Sequence, residues 1–356
     1  MRAGLRFCYG RPVATPDPSA PAAPRPAAPS GTGRERLVDA QGRHIRDLRL
    51  SLTDRCNFRC SYCSPMGVDD PRDDPLTRPE AARLVGIFAG LGVERVRLTG
   101  GEPTLRRDLV DVVRDIASTP GIGEVAMTTN GQFLHELAGP LRAAGLTRLN
   151  VSLDTLDAEK LKRLSGKAAT LDRIKRGLAA AQREGFASLK VNVVVVKGVN
   201  DGELADLARF AWSHGATPRY IELMPFGDGE PIPTAEVKRI LEAGGITLDA
   251  DDTRGWGPAY HMRGRTADGL TGLVGFIGAM TENFCEGCNR VRVGADGSLR
   301  ACLGGRERLP LKELLRGGTP DAEIEARIRE ALMLKHPHHE MTERKKSLLP
   351  MIGYGG

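Results

Sequence analysis

The sequence predicts an α/β fold, an incomplete (β/α)6 TIM-like barrel followed by a smaller C-terminal α+β domain. Three observations predict it. Six short β-rich runs alternate with single helix-length segments; the alternation stops around Gly244; and the stretch beyond reads as Gly-punctuated short strands followed by helices. Strands separated by one helix need right-handed crossovers and pair in parallel. Six such units that curl make part of the eight-stranded barrel, whose ligands gather at the carboxyl ends of its strands.

Residues 1–34 are rich in Pro, Ala, Ser and Arg and carry almost no periodic apolar signal, so they read as a disordered tail. Their Pro content works against the amphipathic helix of a transit peptide. The barrel, residues 35–244, draws its strands from Arg49 to Leu52, Arg95 to Thr99, Val125 to Thr129, Arg148 to Asp154, Leu189 to Val196 and Arg219 to Met224. Apolar spacing near 3.6 predicts helices at Pro79 to Leu91, Leu105 to Ile116, Leu134 to Ala144, Leu171 to Glu184 and Glu203 to His214. Residues 245–356 form the second domain. It has short strands between Pro258 and Ala301, then helices near Leu311 and from Asp321 to Leu334.

A hydrophobic fraction of 40% over 356 residues supports a substantial core. No run approaches the roughly 18 to 20 apolar residues of a membrane span, and the first residues lack the apolar region of a secretory signal, so a cytoplasmic protein is expected. The net charge of +6 is modest and aromatics are only 4%, which argues against the stacking platforms of nucleic-acid binders and leaves an anionic small molecule as a suitable partner.

Seven cysteines in such a chain point to metal or redox chemistry rather than disulfides. Cys56, Cys60 and Cys63 fall together, as do Cys285, Cys288 and Cys302, while Cys8 stands apart in the tail. Three thiolates can hold a 4Fe-4S cluster and leave one iron without a protein ligand. A structural zinc wants four ligands. None follows the first set, although His336, His338 or His339 could complete the second. After the second strand comes TGGEP, in which Gly100 and Gly101 let backbone approach a ligand and Glu102 can accept from an ammonium group. Arg290 and Arg292 alternate on a strand beside the second set and share one face, which suits a planar polyanion.

The CxxxCxxC loop, with Tyr62 before its third cysteine, and the GGEP that follows resemble the radical SAM superfamily. The resemblance implies a cluster whose open iron binds the amino and carboxylate groups of S-adenosylmethionine (SAM), yielding a 5′-deoxyadenosyl radical that the protein positions and shields from water. Further motifs are CxxCNRxRxxxxGxxxxCL, RDLRLSLTDRC, TGGEPTLRRDL, TTNG, NVSLD, KVNVVVVKGVND and the closing Gly355-Gly356. Together these are similar, over almost all of the chain beyond the tail, to the GTP 3′,8-cyclase family of molybdenum cofactor biosynthesis.

That resemblance implies two 4Fe-4S clusters, on Cys56, Cys60 and Cys63 and on Cys285, Cys288 and Cys302. It implies SAM contacts from Tyr62, Gly100, Gly101, Glu102, Ser152 and Met224. It implies GTP contacts from Arg49, Arg97, Thr128, Lys190, Arg290 and Arg292, with Arg290, Arg292, Gly355 and Gly356 in catalysis. The expected reaction takes the ribose 3′ hydrogen and joins that carbon to guanine carbon 8. Expected partners are a flavodoxin or ferredoxin as electron donor, cyclic pyranopterin monophosphate synthase downstream, and a second copy in a homodimer; no nucleic acid and no membrane are expected. Ser64 stands where many members have Met, and Tyr354 where a plain IGG ending is familiar. The rival reading is another radical SAM enzyme with an auxiliary cluster, such as a peptide-modifying maturase.

Overall fold

The computed structural model describes residues 36–63, 74–251, 257–339, 341, 351 and 354. The N-terminal tail with Cys8, Ser64, and the terminal Gly355 and Gly356 lie outside the described residues. The described residues belong to one compact unit.

The six expected strands form where the β-branched or leucine-rich runs lie: β1 Asp47–Ser51, β2 Arg95–Thr99, β3 Glu124–Thr129, β4 Arg148–Ser152, β5 Ser188–Val195 and β6 Thr217–Glu222. Between them run α1 Arg78–Gly90, α2 Leu109–Ala117, α3 Leu134–Ala143, α4 Ala158–Ser165, α5 Leu171–Arg183 and α6 Leu204–Ser213. Helix α1 starts sharply because Thr77 and Glu80 cap each other reciprocally, the Thr77 amide donating to Glu80 Oε2 at 2.8 Å. Helix α4 was not expected. It is short and held at its start by Asp157, whose Oδ1 accepts from the Lys160 amide at 2.8 Å.

Beyond β6 come α7 Thr234–Ala243, β7 Ile246–Ala250, β8 Tyr260–Thr266, β9 Thr271–Ile277, β10 Arg290–Val293, β11 Ser298–Arg300, β12 Leu309–Pro310, α8 Leu311–Arg316 and α9 Asp321–Met333. These strands extend the sheet already begun. Its order is β12-β11-β10-β1-β2-β3-β4-β5-β6-β9-β8-β7, so β10 joins one edge of the six and β9 the other, both in parallel. The parallel part therefore has eight strands rather than six. Antiparallel hairpins flank it on both sides.

Alternation along the strands divides the two faces. On β1, Leu48 and Leu50 are fully buried; on β5, Val191, Val193 and Val195 are. They join Leu84, Phe88, Ile174 and Leu207 of the helices in one core. At about 25 cal/mol per Å² of apolar surface removed from water, this layer is the main favourable term for the fold. The other face of the same strands carries Asp47, Arg49, Arg97, Asn150, Lys190 and Asn192, which line a cavity together with β9 and β10 residues from opposite ends of the sheet. A cavity shared by both ends requires the sheet to curl.

Among the described residues no helix is long and apolar enough to cross a membrane.

Candidate functional site

Strand register builds the cavity wall. Arg292 of β10 pairs with Arg49 of β1, Arg49 with Arg97 of β2, Arg97 with Ala126 of β3, Ala126 with Arg148 of β4, and Arg148 with Ser188 of β5. Because opposite residues in adjacent strands share a face, one rung sets four guanidiniums around the cavity. The next rung holds Thr128, Asn150 and Lys190, and a third holds Ser152, Asn192, Arg219 and Gly275. The interior of this barrel is cationic where a closed barrel would be filled with aliphatic side chains.

Only part of that charge is neutralised within the protein. Glu124 Oε2 pairs with Arg148 Nε at 2.7 Å, and its Oε1 accepts from Arg95 Nε at 3.0 Å. Among the described residues no carboxylate lies in ion-pair reach of Arg97, Lys190, Arg219 or Arg292. Arg219 instead donates through Nε to Asn192 Oδ1 at 2.9 Å. Asn150, with its amide oxygen turned inward to satisfy its neighbours, accepts from Arg97 Nη1 at 2.5 Å and Arg219 Nη2 at 3.3 Å.

Burial, then neighbouring like charge, depresses Arg49, Lys190, Arg219 and Arg292. Lys190 falls to about 7 under burial and the fields of Arg219, Arg148, Arg97 and Arg95. Arg219 falls to about 9 through burial and Arg97, Arg292 to about 10 through burial and Arg290, and Arg49 is pulled well below its usual value. A bound polyanion would oppose these shifts by setting negative charge beside each cation.

At one side of the cavity stand Cys285, Cys288 and Cys302, all free thiols lining it. The loop that carries them is tied from behind through its carbonyls. Arg43 Nη1 donates to the Cys285 carbonyl at 2.8 Å, and Lys335 Nζ to the Arg290 carbonyl at 2.8 Å and the Cys288 carbonyl at 3.5 Å. Asp39, fully buried, pairs with both cations. Burial alone would push Cys288 up, but Arg290 and Lys335 outweigh it and bring the thiol down to about 6. His339, half of whose ring chemistry is spent on the Ala279 carbonyl at 2.7 Å, lines the same wall.

Cys56, Cys60 and Cys63 lie on the loop after β1, also as free thiols. Burial is the first cause that raises each of them. Glu102 and Cys60 add to it for Cys56, which reaches about 12; Asp154 adds for Cys60, which reaches about 11; and Cys60 and Cys56 add for Cys63. Because Cys60 raises Cys56 and both raise Cys63, all three can ionise together only beside a compensating cation. Among the described residues no three His, Cys, Asp or Glu side chains close around a single metal ion. The thiolates of a 4Fe-4S cluster bind different irons and need only frame a space, so the donor set fits that group.

The GGEP loop serves this cysteine loop directly. The Gly101 amide donates to the Thr53 carbonyl at 2.6 Å and the Glu102 amide to the Arg55 carbonyl at 2.8 Å. A Cβ on Gly101 would sit 2.2 Å from the Arg55 carbonyl oxygen, and one on Gly100, where φ is +153°, 2.6 Å from the Thr53 carbonyl oxygen. The close approach that demands these glycines is thus to the chain's own backbone. Glu102 is buried, and its carboxylate accepts from the Thr104 amide at 3.0 Å, the Thr104 and Thr129 hydroxyls at 2.6 Å each, and the Asn130 amide at 2.7 Å. Its geometry is that of a fastener between the ends of β2 and β3. Tyr62 donates its hydroxyl to Asp154 Oδ2 at 2.5 Å. The β6 loop closes over it, since a Cβ on Gly227 would meet Tyr62 Cα at 2.6 Å.

The cavity therefore brings together Arg49, Arg97, Lys190, Arg290, Arg292, Tyr62, Met224 and the second cysteine set. Gly100, Gly101, Glu102, Ser152, Thr128 and the first cysteine set are not among its lining residues. Arg95, Arg148, Arg219, Asn150 and Asn192 line it too, unanticipated from the sequence. The available signal was positional: each lies on an expected strand, an even number of residues from an expected inward one or on the same rung.

Residues 50–211 match the Radical SAM superfamily and residues 216–341 match Molybdenum Cofactor Synthesis C. A GTP 3′,8-cyclase of Pseudomonas putida (strain W619) is 42% identical over 312 residues, 85% of this chain and 92% of that protein. One from Moorella thermoacetica is 39% identical over 90% of this chain and 100% of that protein. The molybdenum cofactor biosynthesis protein moc-5 of Caenorhabditis elegans is 39% identical over 89% of this chain and 54% of that protein. Streptococcus suis SuiB, solved with S-adenosylmethionine bound, shares the fold at a TM-score of 0.55 and 16% identity, covering 80% of this chain and 68% of that one.

Proposed function

Since the chain belongs to the GTP 3′,8-cyclase family of the radical SAM superfamily, we propose that its cationic cavity binds GTP, with the triphosphate along the arginine rung and the guanine toward Cys285, Cys288 and Cys302. The enzyme cyclises GTP between ribose C3′ and guanine C8 to 3′,8-cyclo-7,8-dihydro-GTP, the first step of molybdenum cofactor biosynthesis. The observation that carries the binding mode is the register that lines up Arg292, Arg49, Arg97 and Arg148 on one rung. A forked guanidinium matches phosphate oxygens in pairs, and several in a row suit a polyphosphate.

The superfamily brings one 4Fe-4S cluster and SAM, which we assign to Cys56, Cys60 and Cys63. The second cluster is our reading of Cys285, Cys288 and Cys302, supported by three free thiols on the cavity wall and by Arg290 and Lys335 beside Cys288. When bound, the first cluster with SAM supplies the 5′-deoxyadenosyl radical that takes the ribose hydrogen, and the second supplies an open iron for the guanine edge. The chain's own part is geometric. Arg290 and Arg292 hold the nucleotide beside the second cysteine set, and Lys190, protonated on binding, adds charge at mid-cavity. Tyr62 and Met224 face SAM from the cavity, while Gly100, Gly101, Glu102 and Ser152 act by shaping the loops around it. Thr128 acts through Asn150, and Gly355 and Gly356 complete the site. Holding both ends of the substrate leaves one ribose hydrogen toward the radical, the kind of positioning worth several orders of magnitude in rate.

A flavodoxin or ferredoxin donor, hand-over to cyclic pyranopterin monophosphate synthase, a homodimer and a cytoplasmic location are carried over from the family resemblance. Against the rival reading as a peptide-modifying enzyme stand the GTP 3′,8-cyclases matched over 92% and 100% of their length, while the likeness to SuiB is one of fold.

The test is anaerobic. Reconstituted protein given SAM, dithionite and GTP should yield 5′-deoxyadenosine and a cyclised nucleotide, and Cys285→Ala should lose the nucleotide product. Formation of 5′-deoxyadenosine with GTP untouched in the native protein would refute the substrate assignment.

A further inference from the structure

Tyr354 occupies a receptacle built by the β10–β11 hairpin. Its ring lies 4.0 Å from the Arg300 guanidinium and 5.5 Å from that of Arg308. Arg300 is 2% exposed, and its Nε and Nη2 have no hydrogen-bond acceptor among the described residues, so the face of the ring is what meets this buried charge. The Tyr354 hydroxyl donates to Asp296 Oδ2 at 2.7 Å and meets the Ser298 hydroxyl at 2.9 Å. Room for the ring depends on Gly294, where a Cβ would come 2.5 Å from Tyr354 Cε1. Finally, the Tyr354 carbonyl accepts from Arg292 Nη1 at 2.8 Å. Arg300 stands opposite Arg292 in the β10–β11 pairing, so the residue that anchors the ring and the residue that reaches the cavity share one face.

We propose that Tyr354 is a positioning residue that latches the end of the chain to the β10–β11 hairpin and fixes its backbone against Arg292. A half-buried ring laid over a buried cation, a hydroxyl with two partners and a fitted glycine make a specific socket. A frayed terminus would need none of them. The latch sets where the two glycines that follow begin, and its effect on turnover rests on the reading that those glycines take part in the reaction.

Two measurements separate the latch from that reading. Amide hydrogen exchange on the reconstituted full-length enzyme should show the terminal peptide exchanging about tenfold faster in Tyr354→Ala than in the native protein, the scale of one lost cation–π contact, with unchanged iron content and thermal midpoint. Tyr354→Phe, which keeps the ring, should recover most of the protection. In assays, Tyr354→Ala should still form 5′-deoxyadenosine but lower the ratio of cyclised product to it. Combining it with removal of Gly355 and Gly356 should cost no more than the removal alone. Unchanged exchange in Tyr354→Ala, or additive losses in the combined variant, would overturn the latch. Faster exchange with turnover indifferent to the removal would uphold the latch and reject the catalytic role of the glycines.

Discussion

Arg49 and Arg292 stand directly opposite one another on adjacent parallel strands, two guanidiniums side by side on the cavity wall. Like charges in that relation are destabilising, the more so when buried. The arrangement makes physical sense as a receptor for a polyanion, whose binding offsets the repulsion between the two guanidiniums.

Replacing Arg292 by Ala should therefore weaken GTP binding by about 10- to 100-fold, the value of roughly 1.5 to 3 kcal/mol for hydrogen bonds to a charged group. Arg292→Lys should restore only part of this, since a point charge lacks the fork. Anaerobic titration calorimetry gives both numbers. Equal affinity in all three proteins would move the triphosphate away from this rung.

Lys190, held down to about 7 by burial and its arginine neighbours, should take up a proton when GTP binds. Free, it loses its proton as pH rises through about 7; bound to phosphate, it keeps it to higher pH. Affinity should thus be greatest below pH 7 and decline between that value and the raised pKa of the complex. Calorimetry at pH 8 in buffers of different ionisation enthalpy should report the proton, and Lys190→Met should abolish it.

Gly101→Ala would drive a Cβ to within 2.2 Å of a backbone carbonyl, where no rotamer change helps. Overpacking of this kind costs about 1 to 3 kcal/mol. Here it falls on the loop of Cys56, Cys60 and Cys63. Iron content should drop by about half with GTP binding retained, as read by metal analysis and calorimetry.

Arg43→Ala removes a donor that ties down the Cys285 carbonyl and two others near it. Support of this kind is typically worth 10- to 100-fold in metal affinity. The variant should lose iron from the second set while still cleaving SAM. A full complement of iron after dialysis against a chelator would show the tether to be dispensable.

The fold was largely legible in the sequence because β1 to β6 each carry a β-branched or leucine-rich run between helix-length segments. Helix α4 escaped because AEKLKRLS has only Leu161 and Leu164 to mark a face. Which edge β9 and β10 would join could not be read, since strand pairing across the whole chain leaves no local pattern. For the site, motifs marked the cysteines and the arginine pair at 290 and 292. Arg148 and Arg219 sit in no such motif, and their place in the cavity follows only from the register with Arg97 and Asn192. Glu102 was legible as important but not in its role, because the partners that consume its carboxylate come from the end of another strand.

The two strands that finish the parallel sheet both arrive late. Leu48 finds its neighbour at Val291, and Tyr220 at Phe276, so an emerging chain with β1 to β6 complete still has two open edges. Such edges invite pairing with other chains. On the ribosome, the half-made barrel is the aggregation-prone species, and contacts so distant in sequence make its closure slow. The parallel sheet can close only once the last third of the polypeptide, which carries β9 and β10, has been synthesised.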